Sequence, residues 1–136
     1  MPSHSLTAPT LSDIEKIARS AYLTIPEDLR DHAKDVVIHV MDFPDEAVCR
    51  EMRLRSPFDL LGLYQGIPVG DKESGGTPAD IDRVFLYRRP ILDFWCEGED
   101  DLETVVRHVL IHEIGHHFGF SDADMEALEA AAAVER

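Results

Sequence analysis

His112-Glu113-Ile114-Gly115-His116-His117-Phe118-Gly119-Phe120-Ser121-Asp122 is the stretch from which the rest of the chain is read. It sets two histidines four positions apart, a carboxylate beside the first, a glycine three positions past the second, and another carboxylate beyond that. On a helix turning about 100° per residue, His116 lies roughly 40° from His112, and Glu113 roughly 100°. Both imidazoles then share a face one turn apart, with Glu113 beside them. Two neutral imidazoles and a carboxylate are ligands suited to zinc, and a second carboxylate next to them can reach a bound water.

The residues before the run fix its setting. Asp100 or Asp101 is expected to start a helix that ends near Phe118. Its apolar members Leu102, Val105, Val106, Val109, Leu110, Ile111, Ile114 and Phe118 cover most of its circumference. A surface helix would carry a single stripe, so this one is expected to be buried on several sides. Three titratable groups on such a helix need partners, and a metal ion satisfies all three together.

The residues after it supply a return. Gly119 suits the left-handed conformation that ends helices and sends the chain back toward the histidines. Asp122 can then donate a carboxylate oxygen as the third ligand, with Asp124 as its substitute; the alternative is that Asp122 only caps the final helix. Ser121 is expected to cap the final helix, which runs to about Val134, with Asp124 at its third position. His117, at roughly 140° from His112 by the same helical count, points away from the pair and is read as a packing residue. His108 lies one turn earlier and is read as solvated or facing the same cleft.

Upstream, Ser12 and Glu15 form a capping-box pattern before Ile14, Ile17, Ala18, Ala21 and Tyr22. Pro26 opens a short helical turn reaching about His32. Val36–Met41 is a β-branched run and a predicted strand, and residues 45–53 are helical in composition. Residues 60–69 are apolar but broken by Gly62, Gly66 and Pro68, and read as a strand or an extended loop. Residues 71–82, with Gly75, Gly76 and Pro78, read as a mobile loop. Arg83–Tyr87 is a second predicted strand. A short helix is expected over Pro90–Cys96, with Trp95 in the core. The tail is set at residues 1–10 and a single domain at residues 11–136.

Composition narrows the function classes. The chain has 136 residues, 13 Lys plus Arg against 27 Asp plus Glu, and a formal charge of -14. A nucleic-acid or anionic-membrane binder needs a basic face, so neither is an expected partner. Basic or neutral peptides meet a more favourable field. Two cysteines without a C-x-x-C pattern read as reduced thiols. With no signal-peptide pattern at Met1–Thr10 and no membrane-length apolar run, the expected place is the cytoplasm.

At the quoted run the sequence resembles a zincin, with the H-E-x-x-H-x-x-G-x-x-D spacing seen in metzincins. Three segments together resemble the minimal-zincin family of small bacterial zinc metallopeptidases: Leu60–Gly66, Arg83–Ile91 and His112–Asp122. The resemblance implies an α+β fold, with a small mixed sheet packed on helices and the active-site helix beneath it. It implies one Zn2+ per chain held by His112, His116 and Asp122, with Glu113 as general base and a peptide or protein substrate. One departure is the lack of a downstream Met-turn, since Met125 follows Asp122 by only three positions.

Two other classes compete. A metal-dependent endoribonuclease can share the histidine spacing, but there the first His is typically not followed by Glu and the third ligand is His. A non-catalytic zinc-containing binding module would need a fourth protein ligand, for which His108 or His117 is available. By chemistry alone, His108, Tyr64, Tyr87 and Arg88 are the candidate donors to a developing oxyanion.

Overall fold

Helix α1, Leu11–Thr24, is capped by Thr10, two residues before the expected Ser12. Thr10 and Asp13 form the capping box: the Thr10 hydroxyl accepts the Asp13 N–H at 3.1 Å, and the Asp13 carboxylate accepts the Thr10 N–H at 2.9 Å. Thr10/Asp13 and Ser12/Glu15 both fit the cap pattern. The earlier one prevails because it adds length to the helix and joins the Ile14 N–H to the Thr10 carbonyl at 3.0 Å. Just before it, the Pro9 carbonyl accepts from Arg88 Nε at 2.6 Å, and Arg88 also pairs with Asp42 at 3.0 Å. The computed structural model describes residues 7–32, 36–66, 82–119, 121, 123–127 and 130. Apart from Asp82, the expected loop at residues 71–82 lies outside them.

Three strands form one mixed sheet: β1 (Val37–Met41), β2 (Gly62–Gln65) and β3 (Arg83–Tyr87), in the order β1-β3-β2. β1 runs parallel to β3 and β2 antiparallel to it. The segment that read as strand or loop is thus a strand at its centre. Register pairs Ile38 with Val84 and Val40 with Leu86, and Tyr64 with Val84 on the other side. By the two-residue alternation of strands, these side chains share one face with Gly62. Val84 and Leu86 on that face are fully buried.

Short helices α2 (Glu27–His32) and α3 (Glu46–Glu51) flank β1 in sequence, as expected. Helix α4, Arg88–Glu97, follows β3 directly. It begins two residues earlier than predicted, because Pro90 falls in its first turn, where a missing N–H costs no helical bond. Trp95, expected in the core, is only half-buried at the core's edge.

Helix α5, Leu102–His117, is the element that carries the quoted run. The Asp101 carboxylate caps it through the Thr104 N–H at 2.8 Å. It buries Leu102, Val105, Val106, Val109, Leu110, Ile111 and Ile114. Each fully buried aliphatic side chain contributes about 1.5–3 kcal/mol, against about 1 kcal/mol for a cap. Packing therefore decides where α5 lies. It sits against α1 and beneath β2 and β3, in the layer arrangement expected of an α+β fold. Met125, in the final helical residues 123–127, is fully buried and closes the same core. Among the described residues no helix is long and apolar enough to cross a membrane.

Candidate metal centre

The last two turns of α5 bring His112 and His116 onto one side of the helix, with ring centres 5.7 Å apart and planes at 83°. A ligating imidazole nitrogen lies about 2.1 Å from zinc, so two rings in tetrahedral coordination have centres roughly 5 Å apart. The observed pair fits that separation within a small rotamer adjustment. His112 is half-buried and His116 exposed, so the pair opens to solvent on the His116 side. Among the described residues, no three His, Cys, Asp or Glu side chains converge on one point that a metal could occupy. The expected third ligand, Asp122, lies outside the described residues.

The turn leading toward Asp122 is described up to Gly119. Phe118 is the C-cap, and Gly119 has φ +82° in the left-handed region. Its N–H donates to the His116 carbonyl at 3.1 Å. Glycine is the residue this conformation tolerates without a Cβ penalty. Ser121 and Asp124 then exchange hydrogen bonds, each 3.1 Å long, in a capping box. The expected cap is in place, and it engages the Asp124 carboxylate that was the substitute ligand.

Glu113 reaches across to the sheet. Its Oε1 accepts the Tyr64 backbone N–H at 3.2 Å. Burial raises its pKa above the ordinary carboxylate range, while the Tyr64 N–H and nearby His116 pull it back down. The approach depends on Gly62: a Cβ there would stand 2.6 Å from Val109 Cγ1 and 3.4 Å from Glu113 Cγ. Neither Gly62 nor the Tyr64 backbone stood among the sequence-derived site residues. The available signal was a glycine inside an apolar strand, which often marks a close approach of another element.

A cleft of about 160 Å³ beside the pair is lined by Leu60, Leu61, Gly62, His108, Val109, His112 and Glu113. His108 therefore faces the cleft, with its ring 4.1 Å from that of His112. His117 turns the other way and stacks on Tyr64, ring centres 3.9 Å apart and planes at 16°.

The candidate oxyanion donors separate on this geometry. Arg88 is tied to Pro9 and Asp42. Tyr87 is 2% exposed, and its hydroxyl is pushed up to about 12 by burial, then by Asp45, Cys49 and Glu113. The Tyr64 hydroxyl is also pushed up to about 12, by burial first and by Tyr22 second. Of the four, His108 is the one that lines the cleft.

The sequence profile of zincin-like metallopeptidases matches residues 33–132. No curated protein matches the chain. The matched span takes in all three strands, the whole of α5, and the glycine turn beyond it. Zincins are a zinc-binding group of hydrolases, and the histidine pair with its adjoining glutamate is the part of this fold with the chemistry to match. On the extent of that match and the sheet-over-helix arrangement within it, the chain belongs to the zincin-like metallopeptidase family.

Proposed function

We propose that the protein is a zinc-dependent peptidase. His112, His116 and Asp122 hold one Zn2+ per chain, and Glu113 is the general base. The observation that carries this reading is the position of Glu113. It is a half-buried carboxylate of raised pKa, held by a strand N–H immediately beside two imidazoles spaced for one ion. A solvated or capping glutamate would have neither the desolvation nor the neighbours.

Zinc bound there would acidify a water toward neutrality and polarise the substrate carbonyl. Glu113 accepts the proton of the attacking water and delivers it to the leaving amine nitrogen. Its raised pKa suits both steps, because a base that binds its proton too weakly is a poor acceptor. His108 at the cleft wall is the proposed donor toward the oxyanion. An extended peptide adds along the sheet edge formed by β2, where backbone groups align it over the helix.

The charge of -14 favours peptides over nucleic acid as the partner. A non-catalytic zinc module would need a fourth protein ligand. Of the two candidates for that place, His117 is instead stacked on Tyr64. Cys49 and Cys96 are free thiols, in keeping with the cytoplasm as the proposed compartment.

The test is direct. Protein loaded with zinc should retain one ion per chain after dialysis and cleave members of a peptide library. Glu113→Gln should keep the ion and lose cleavage. A zinc-loaded chain that cuts no peptide would overturn the assignment.

A further inference from the structure

We infer that the Tyr64 backbone N–H is a shared donor, which holds Glu113 in the free chain and passes to a carbonyl of a bound peptide. This rests on the peptidase reading above and adds a positioning residue to it. The direction of the strand's backbone groups is the starting point. The Leu61 carbonyl accepts the Tyr87 N–H at 2.9 Å, so Leu61 faces β3. In an antiparallel pair, alternate residues face the same way. Leu63 and Gln65 therefore also point to β3, while Gly62 and Tyr64 point outward. A peptide that extends the sheet at β2 has to use those outward groups, and the Tyr64 N–H is the one already engaged by Glu113.

One N–H does not serve two acceptors at full strength. Its bond to Glu113 is 3.2 Å, at the long end of the range of about 2.7–3.2 Å for an N–H to oxygen bond. A bond at that end is among the weaker ones and can be exchanged. Gly62 fixes the spacing at the same place, since Val109 and Glu113 Cγ stand where its Cβ would be. The strand has no room to move closer to α5. When a peptide carbonyl takes the N–H, the Glu113 side chain turns away from the strand edge, toward the histidine pair. Substrate binding and release of the base are then one event.

The experiment uses amide exchange at Tyr64 in the zinc-loaded chain, with an uncleavable acetyl-dileucine hydroxamate as the probe. Glu113→Ala should speed exchange of the Tyr64 amide by roughly tenfold in the free chain, the effect of losing one hydrogen bond. Adding the hydroxamate to that variant should restore protection. Failure to restore it with the probe bound overturns the handover. A second measurement replaces Tyr64 by its α-hydroxy analogue, which keeps the ring and removes only the N–H. Made in the Glu113→Ala background, where the N–H has no Glu113 bond to give up, the replacement should weaken binding of the hydroxamate roughly tenfold, the single bond lost from the substrate side. Unchanged hydroxamate affinity in that background would show Tyr64 to be a fixed support and overturn the handover, leaving the peptidase reading intact. If the wild-type chain cleaves no peptide, that reading fails and this inference with it.

Discussion

Gly62 and Val109 meet so closely that a single added carbon at Gly62 would stand 2.6 Å from Val109 Cγ1. Val109 is 5% exposed and has no room to retreat. Gly62→Ala should therefore destabilise the protein by about 1–3 kcal/mol, the range for overpacking. Adding Val109→Ala should recover part of that loss, because the two substitutions share one contact. Urea unfolding of the single and double variants measures the coupling, and strict additivity would show the contact to be soft.

Zinc should stabilise the chain through the histidine pair. At a free zinc concentration 100 times Kd, the gain is about 2.7 kcal/mol. His116→Ala should abolish that gain, and His108→Ala should preserve most of it. Thermal unfolding with and without zinc separates the two, and loss of the gain in His108→Ala would move that residue into the ligand set.

Stability of the metal-free chain should respond to the titration of Glu113. Burial raises its folded pKa above its unfolded value. Between the two values the folded state binds more protons, so its stability falls as pH rises through that window. Below the unfolded value the penalty is absent. Glu113→Gln should accordingly be more stable than wild type near neutral pH, with the difference closing as pH drops below the ordinary carboxylate range. Melting curves of both proteins across pH 4 to 7 in the presence of a chelator give the comparison.

Gly119 has open space around its Cβ position but a φ of +82°. Gly119→Ala should cost about 1–2 kcal/mol from the left-handed backbone alone, and Gly119→Asn less. Because the turn leads toward Asp122, the alanine variant should also bind zinc more weakly. Calorimetric titration of zinc into the two variants measures both ends of this expectation. Equal affinity in all three proteins would detach the turn from metal binding.

The parts that were readable from the sequence were those encoded within one or two helical turns. The His112, Glu113 and His116 spacing, the Gly119 turn and the Ser121–Asp124 box each depend on neighbours a few positions apart, and helix geometry determines them. The mixed sheet above α5 was anticipated through the resemblance to minimal zincins. The anchoring of Glu113 was not legible, since Tyr64 stands 49 positions earlier and contributes a backbone group that every residue except proline possesses. The start of α1 was ambiguous because two cap patterns overlap, and the choice between them is settled by a backbone bond from Ile14 to Thr10. β2 was obscured by Gly62 within it and Gly66 just after it, and Gly62 is present because a helix lies against it.

Synthesis from the N-terminus gives this arrangement an order in time. All three strands leave the ribosome before α5 does, so the sheet face carrying Val84 and Leu86 has only α1, which lies against β1, as cover until α5 is made. The same helix that bears His112 and His116 is therefore the lid on the nascent hydrophobic face. Met125, later still, completes the enclosure. Helix formation alone sets the histidine spacing, but the pair takes its place beside β2 only after aliphatic packing has seated α5, so a metal held there would be taken up late.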